Sequence, residues 1–201
     1  MCLIALKGKE NIWFFSLFLY LLILLPALSF AQLGDYYYSD NHPKAKGLNF
    51  QVKSPIGFEQ KEAVRPNIVQ KWENISADEL MSFNVLVYKD ESFKDYSIDE
   101  WKEGLRDKDT REDFVGEMGT NASNIKYFVL DNYPGVVFDG YLDIERIDLN
   151  TRLYFIQATV IVESYMFILQ IMDNDKTSLN ANRNLFNLMA NSVVFPDQYN
   201  Y

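Results

Sequence analysis

The stretch Tyr154–Met172, YFIQATVIVESYMFILQIM, is nineteen residues long and mostly apolar. That is the length of a helix that crosses a bilayer, so its reading decides between a membrane span and a β-rich domain. A spanning helix tolerates few polar interruptions. This stretch carries Gln157, Thr159, Glu163, Ser164 and Gln170, with Glu163-Ser164 at its middle. A charge at the centre of a membrane helix costs about 2.5–3.5 kcal/mol on insertion scales. β-branched and aromatic residues fill both halves, as on a pleated, buried surface. The stretch therefore reads as two strands joined by a tight turn at Glu163-Ser164. A two-residue turn of type I′ favours Asn-Gly, and this turn lacks that glycine.

The first of these strands is apolar on both sides. Tyr154, Ile156, Ala158, Val160 and Val162 alternate with Leu153, Phe155 and Ile161. A strand covered on both faces belongs at the centre of a sheet. The run before it, Gly135 to Ile147, is one-sided, with Phe138, Leu142 and Ile144 opposite Asp139, Tyr141, Asp143 and Glu145. It belongs nearer an edge. Asp131-Asn-Tyr-Pro-Gly135 and Asp148-Leu-Asn150 are short turns, so Ile125–Leu130, Gly135–Ile147, Arg152–Val162 and Tyr165–Met172 form successive antiparallel neighbours.

Upstream, LNFQVK alternates Leu48, Phe50 and Val52 against Asn49, Gln51 and Lys53. The turn Ser54-Pro55-Ile56-Gly57 follows. Strands are expected from Phe58, over Asn67–Ile75, and in SFNVLVYK with Phe83, Val85 and Val87 inward. Ser97 and Glu100 have capping-box spacing and start a helix, with Ile98, Trp101 and Leu105 as its apolar stripe and Tyr96 stapled onto Trp101. Thr110 and Asp113 together mark a second helix start, leading into Phe114, Val115 and Met118. Gly104 and Gly116 keep both short. A last helix over Leu179–Asn191 places Leu185, Leu188 and Met189 on one side.

The N-terminus has Lys7 and Lys9, the apolar run Ile12–Phe30, and the small-x-small tripeptide Ser29-Phe30-Ala31. This is the pattern of a signal peptide cleaved after Ala31. The run is also long enough to remain as an anchor. The only cysteine, Cys2, precedes the apolar run, which excludes a lipoprotein pattern and leaves the exported part without disulfides, thiolate nucleophiles or cysteine metal sites. The whole chain has a net charge of −9, and loss of Lys7, Lys9 and Glu10 makes the remainder slightly more acidic. Such a chain lacks the basic face that nucleic acid or anionic lipid requires.

The organisation expected is residues 1–31 as signal peptide, 32–46 as a flexible lead-in, 47–196 as one domain and 197–201 as a tail. The fold class is α+β, an antiparallel β-sheet with helices on both faces, an α/β/α sandwich. GLNFQVKSPIGF near the start and LFNLMANSVVF near the end resemble the PsbP-like family, named for an extrinsic subunit of the oxygen-evolving complex and including exported bacterial proteins. The resemblance spans Gly47 to Phe195. It implies a PsbP-like sandwich and a place among assembly subunits, and it transfers no functional residue.

Candidate sites are few. His42 lies in the lead-in beside Pro43, where a general base would not be held against its substrate. Ser123-Asn-Ile-Lys126, Ser39-Asp-Asn41 and Lys176-Thr-Ser178 imitate penicillin-binding motifs, but in the wrong order and with Ser123 on a strand rather than a helix. Asp173-Asn174-Asp175 offers oxygen ligands, yet Ser178 and Asn184 stand where a calcium loop needs Gly and Glu. A helix cap is the simpler use of Asp175. Asp139, Asp143 and Glu145 share one strand face and are weak candidates for a carboxylate pair or a cation site, against a plain solvated face. Asn74-Ile-Ser76 and Asn121-Ala-Ser123 are sequons that matter only in a eukaryotic secretory route.

No catalytic residue, cofactor or metal is therefore expected. The sequence predicts a non-enzymatic exported binding or accessory domain, periplasmic or extracellular, with a protein partner in the cell envelope and no membrane span after cleavage. The alternative is a carboxylate-dependent, glycosidase-like hydrolase using Asp139, Asp143 or Glu145.

Overall fold

The computed structural model describes residues 33–74, 81–146 and 149–199. The signal-peptide reading of residues 1–31, the cleavage after Ala31 and the Asp148 turn residue lie outside them. The stretch Tyr154–Met172 forms two strands, β8 (Leu149–Val162) and β9 (Tyr165–Asp173), paired antiparallel from Val162–Tyr165 to Tyr154–Asp173. Among the described residues, no helix is long and apolar enough to cross a membrane.

The remaining strands are β1 (Leu33–Tyr38), β2 (Gln51–Pro55), β3 (Glu59–Lys61), β4 (Ile68–Glu73), β5 (Ser82–Lys89), β6 (Asn121–Leu130) and β7 (Tyr133–Arg146). Among the described residues, seven of the nine strands make one antiparallel sheet in the order β3-β4-β5-β9-β8-β7-β6. The central position expected for the Tyr154 strand is thus between β9 and β7, and β7 lies one strand from the edge. Helices α1 (Ile98–Gly104) and α2 (Lys108–Gly116) lie between β5 and β6 in the chain, and α3 (Lys176–Ala181) and α4 (Arg183–Asn191) follow β9.

Alternation along β8 divides the interior into two cores. Ile156, Ala158, Val160 and Val162 join Phe83, Val85, Val87, Phe167, Leu169 and Ile171 under β1, β2, α3 and α4. Phe155 joins Val136 and Phe138 under α1 and α2, with Leu105 and Val115. The second face also carries a polar row. Gln170 donates to Gln157 Oε1 at 2.8 Å, and Gln157 donates to Thr159 Oγ1 at 3.0 Å. Gln157, Thr159 and Gln170, three of the polar residues that spoke against a membrane helix, thus have partners inside the sheet, as burial of an amide requires.

Residues 33–46 are not a flexible lead-in. β1 pairs with β2 from Tyr36–Lys53 to Tyr38–Gln51, and Tyr37 packs edge-on to Trp72 at 6.0 Å between ring centres. Ser39 is buried; its hydroxyl accepts from Phe50 N at 2.8 Å and donates to Leu48 O at 3.0 Å. The aperiodic Tyr36-Tyr37-Tyr38 run hid this strand, because its partner lies across a short turn through Pro43–Ala45. Gly57, at φ +85°, turns the chain after β2 as only a glycine does readily. The supposed tail from 197 is also docked. Asn49 Nδ2 donates to Asp197 at 3.0 Å, and Gln198 donates to Asp131 O at 3.0 Å.

The capping box is present: Ser97 N donates to Glu100 Oε2 at 2.7 Å and Glu100 N to Ser97 Oγ at 3.3 Å. The staple is present too, with Tyr96 and Trp101 rings 5.4 Å apart. The second helix starts earlier than Thr110, because Asp107 is its cap and accepts from Thr110 N at 2.9 Å. The last helix is two. Asn182 ends α3 with ψ near zero, and its side chain donates to Ser178 O at 3.1 Å, competing with helix continuation. In α4 the buried stripe is Leu185, Phe186, Met189 and Ala190, while Leu188 faces outward. Val194 exchanges backbone hydrogen bonds with Gln51 at 2.8 and 3.0 Å, tying the chain's end to β2.

At the β8–β9 tip only Glu163 has a positive φ, 53°. Type I′ needs two such residues, so the turn is not of that type, and Glu163 takes the positive φ that glycine adopts without strain. The Asp131-Asn132 turn between β6 and β7 has both at positive φ, 48° and 75°, and is the type I′ case. Relief of left-handed strain offsets the chain entropy of glycine, so Glu163→Gly is expected to keep or raise the thermal midpoint. Glu163→Val, β-branched at positive φ, is expected to lower it. Equal midpoints for the two variants would contradict this turn geometry.

Candidate functional site: a polar cleft beside the β6–β8 end of the sheet

A cleft of about 610 Å³ opens between β6, β7 and β8 on one side and α3 and α4 on the other. Alternation on β7 puts Asp139 and Tyr141 on the face that α3 and α4 cover. The first residues of β6, Asn121 to Asn124, form the rim, where the ladder to β7 slips between Ser123 and Lys126 and Asn124 takes φ 55°. Such a bulge re-aims side chains at a sheet edge. Gly140, next to Asp139, leaves room for the Phe155 ring; a Cβ there would stand 2.3 Å from Phe155 Cζ.

Asp139 is held from both sides. Its Oδ1 receives Arg183 at 2.9 Å and its Oδ2 receives Asn124 Nδ2 at 2.7 Å. Arg183 also donates to Asn180 Oδ1 at 3.2 Å. Lys176, the first residue of α3, places its ammonium 5.9 Å from the centre of the Tyr154 ring. Asp175 caps this helix and accepts from Thr177 N and Ser178 N, both at 3.0 Å. These bonds hold its carboxyl below the usual value. Asp173 is buried, accepts from Asp175 N at 2.8 Å and leaves its other oxygen without a partner. Asp173 and Asp175 therefore shape the turn into α3.

The three acidic residues of β7 are not brought together. Asp143 lies four residues beyond Asp139, about 13 Å along the strand, which exceeds the spacing of glycosidase carboxyl pairs. It is paired with Arg152, its cross-strand neighbour, at 2.6 and 3.0 Å. Arg152 also lies over the Tyr141 ring, 4.2 Å from its centre. Glu145 is nearer to Asp143 but exposed at the far end of the strand. Asp139 is the one acidic residue among those lining the cleft. Among the described residues, no cluster of three His, Cys, Asp or Glu side chains is placed to hold a metal ion.

Ser123 and Lys176 do share the cleft. No hydrogen bond joins them, whereas a serine nucleophile needs a base in reach. Ser39 stands elsewhere, bonded to β2. His42 is a cap rather than a mobile side chain, since its Nδ1 accepts from Lys44 N at 3.3 Å. The residues that sequence reading passed over are Arg183, Asn124 and Asn180. Arg183 is far from Asp139 in the chain, and no local period links them. A smaller, apolar hollow of about 310 Å³ lies between Tyr96, Ile98, Trp101 and Ile161.

The hydrogen bonds from Arg152 hold the Asp143 carboxyl below its ordinary 3.8. A depressed folded value stabilises the fold above the unfolded value and loses that effect as pH falls through the folded one. A carboxyl-carbon NMR titration should therefore find Asp143 with a midpoint below 3.8 in the wild type, rising toward it in Arg152→Gln. An unchanged midpoint would show that the pair does not persist in solution. For Asp139 and Arg183, both partly exposed, a double-mutant cycle should give a coupling of about 0.2–1 kcal/mol.

No protein-family model matches the chain, and no curated protein matches it. Among solved structures it is similar to cyanobacterial PsbP (CyanoP) from Synechocystis sp. PCC 6803. The identity is 14%, covering 82% of this chain and 93% of that one, with a TM-score of 0.49. It is also similar to LpqN, involved in cell envelope biogenesis of Mycobacterium tuberculosis, at 9% identity over 80% and 90% of the two chains, TM-score 0.47. The Ran-binding protein Mog1p of Saccharomyces cerevisiae is similar at 10% identity over 82% and 97%, TM-score 0.46. Each of these is a likeness of fold alone.

Proposed function

We propose that the chain is an exported, non-enzymatic binding domain that acts in a periplasmic or extracellular assembly, with the cleft beside Asp139 as its binding face. The observation that carries this reading is the chemistry of the cleft. Its one carboxylate is held by Arg183 and Asn124, and the rest of its polar wall is amides, hydroxyls and cations. Such a wall orients a ligand without offering a paired acid and base. The hydrolase reading needs two carboxyls facing one substrate, and the β7 spacing supplies none in the cleft.

Export is supported by Lys7, Lys9, the apolar run and Ser29-Phe30-Ala31. Cleavage after Ala31 would leave β1, which begins at Leu33, intact. The sequence resemblance to a family with assembly subunits supports an envelope protein as the partner.

The test places a photo-crosslinking residue at Asn180, on the cleft, or at Glu112, on α2 beneath the opposite face, in the living host. Expected is a discrete adduct from position 180 and none from 112, on a chain that intact mass shows to begin at Gln32. Equal adducts, or none, would overturn the cleft as binding face. A chain that keeps residues 1–31 in the membrane would replace cleavage by anchoring.

A further inference from the structure

The charge in the cleft runs against that of the chain. The whole chain carries −9, yet the charged side chains lining the cleft are Asp139, Lys176 and Arg183, one acid against two bases. Asp139 and Arg183 neutralise each other at 2.9 Å. The Lys176 ammonium is left with the face of Tyr154 as its one interaction among the described residues. Among the described residues no carboxylate forms an ion pair with that ammonium.

The uncommitted polar groups around it are able to donate. Asn180 gives its oxygen to Arg183, which leaves its amide N–H₂ free. The side chains of Asn121 and Ser123, exposed on the rim, make no hydrogen bond among the described residues. The Asn124 amide faces the other way, donating to Asp139. The uncommitted groups can donate as well as accept, and beside a single cation that has no ion pair they suit an acceptor that bears one negative charge. A cation meets the wrong sign. A dianion, such as a phosphate monoester near neutral pH, brings a second charge for which the cleft has no second unpaired cation, since Arg183 is committed to Asp139.

Resting on the proposed binding role of the cleft, we infer that it is a site for a single carboxylate group. Lys176 is its counter-ion, and the Asn180 amide, the Asn121 amide and the Ser123 hydroxyl are its hydrogen-bond donors. The volume of about 610 Å³ is that of a small-molecule site. The carboxylate belongs either to a free hydroxy acid or to the end of a peptide chain.

The test uses the protein purified from its own envelope in an uncharged detergent, followed by calorimetry and backbone amide NMR. The probes are gluconate against glucose, an acetylated tripeptide acid against its amide, and inorganic phosphate. Expected is saturable binding of at least one acid, weakened by salt, with rejection of its neutral counterpart and shifts at Asn121, Ser123 and Asn180. The acid that binds more tightly identifies the source. Lys176→Gln is expected to lose about tenfold in affinity at an unchanged thermal midpoint, and Lys108→Gln, on α2, to lose nothing.

The inference is overturned if no acid binds, if the neutral partner binds equally, if phosphate binds more tightly, or if Lys176→Gln binds as the wild type does. A crosslink at position 180 without acid binding would remove the carboxylate and leave the binding role. An acid that binds and is converted would keep the carboxylate and remove the non-enzymatic reading.

Discussion

The fold depends on the burial of β8 from both sides at once. Over Tyr154–Val160 it is paired with β7 on one side and with β9 on the other, so the backbone there is hydrogen-bonded within the sheet. Its side chains alternate between two cores, Ile156, Ala158 and Val160 in one and Phe155 in the other. Burying a side chain of this size contributes about 1.5–3 kcal/mol, and such a strand collects that on both faces. The other layers follow from it. β1, β2, α3 and α4 exist over one face because that face must be covered, and α1 and α2 over the other for the same reason. The amides of Gln157 and Gln170 fit this interior because they bond to each other across the β8–β9 pair.

The position of α3 and α4 on that face has a functional consequence. They bring Lys176 and Arg183 over the middle of β7, where the alternation of the strand has already placed Asp139. The cleft is the gap left where the helices stop covering the sheet, beside the register shift in β6 between Ser123 and Lys126. Its chemistry is thus assembled from the outward-facing remainder of elements whose other residues form the core.

Much of the sheet was legible because its signals are local. Alternation in LNFQVK and SFNVLVYK marked Phe50, Val52, Phe83, Val85 and Val87, all buried. The double-sided apolar pattern of Tyr154–Val162 marked the central strand. The Ser97–Glu100 box marked a helix start. What escaped depends on partners distant in the chain. β1 is a strand because β2 offers it an edge, and the Tyr36–Tyr38 run has no period of its own to show it. Asn182 splits the last helix through a side-chain bond to Ser178 O that apolar spacing does not record. Asp139 was legible as a polar position on a strand. Its pairing with Arg183 was not, because nothing local says which helix residue crosses over it.

The central claim is that Tyr154–Met172 is the buried hairpin on which the domain is built, and amide hydrogen exchange tests it most directly. The amides of Ile156, Val160, Leu169 and Ile171 should be among the slowest in the chain, exchanging together only through global unfolding, with extended-strand carbon shifts. Helical shifts across Glu163-Ser164, or exchange at these four positions as fast as at the Asn121–Asn124 rim, would contradict the account.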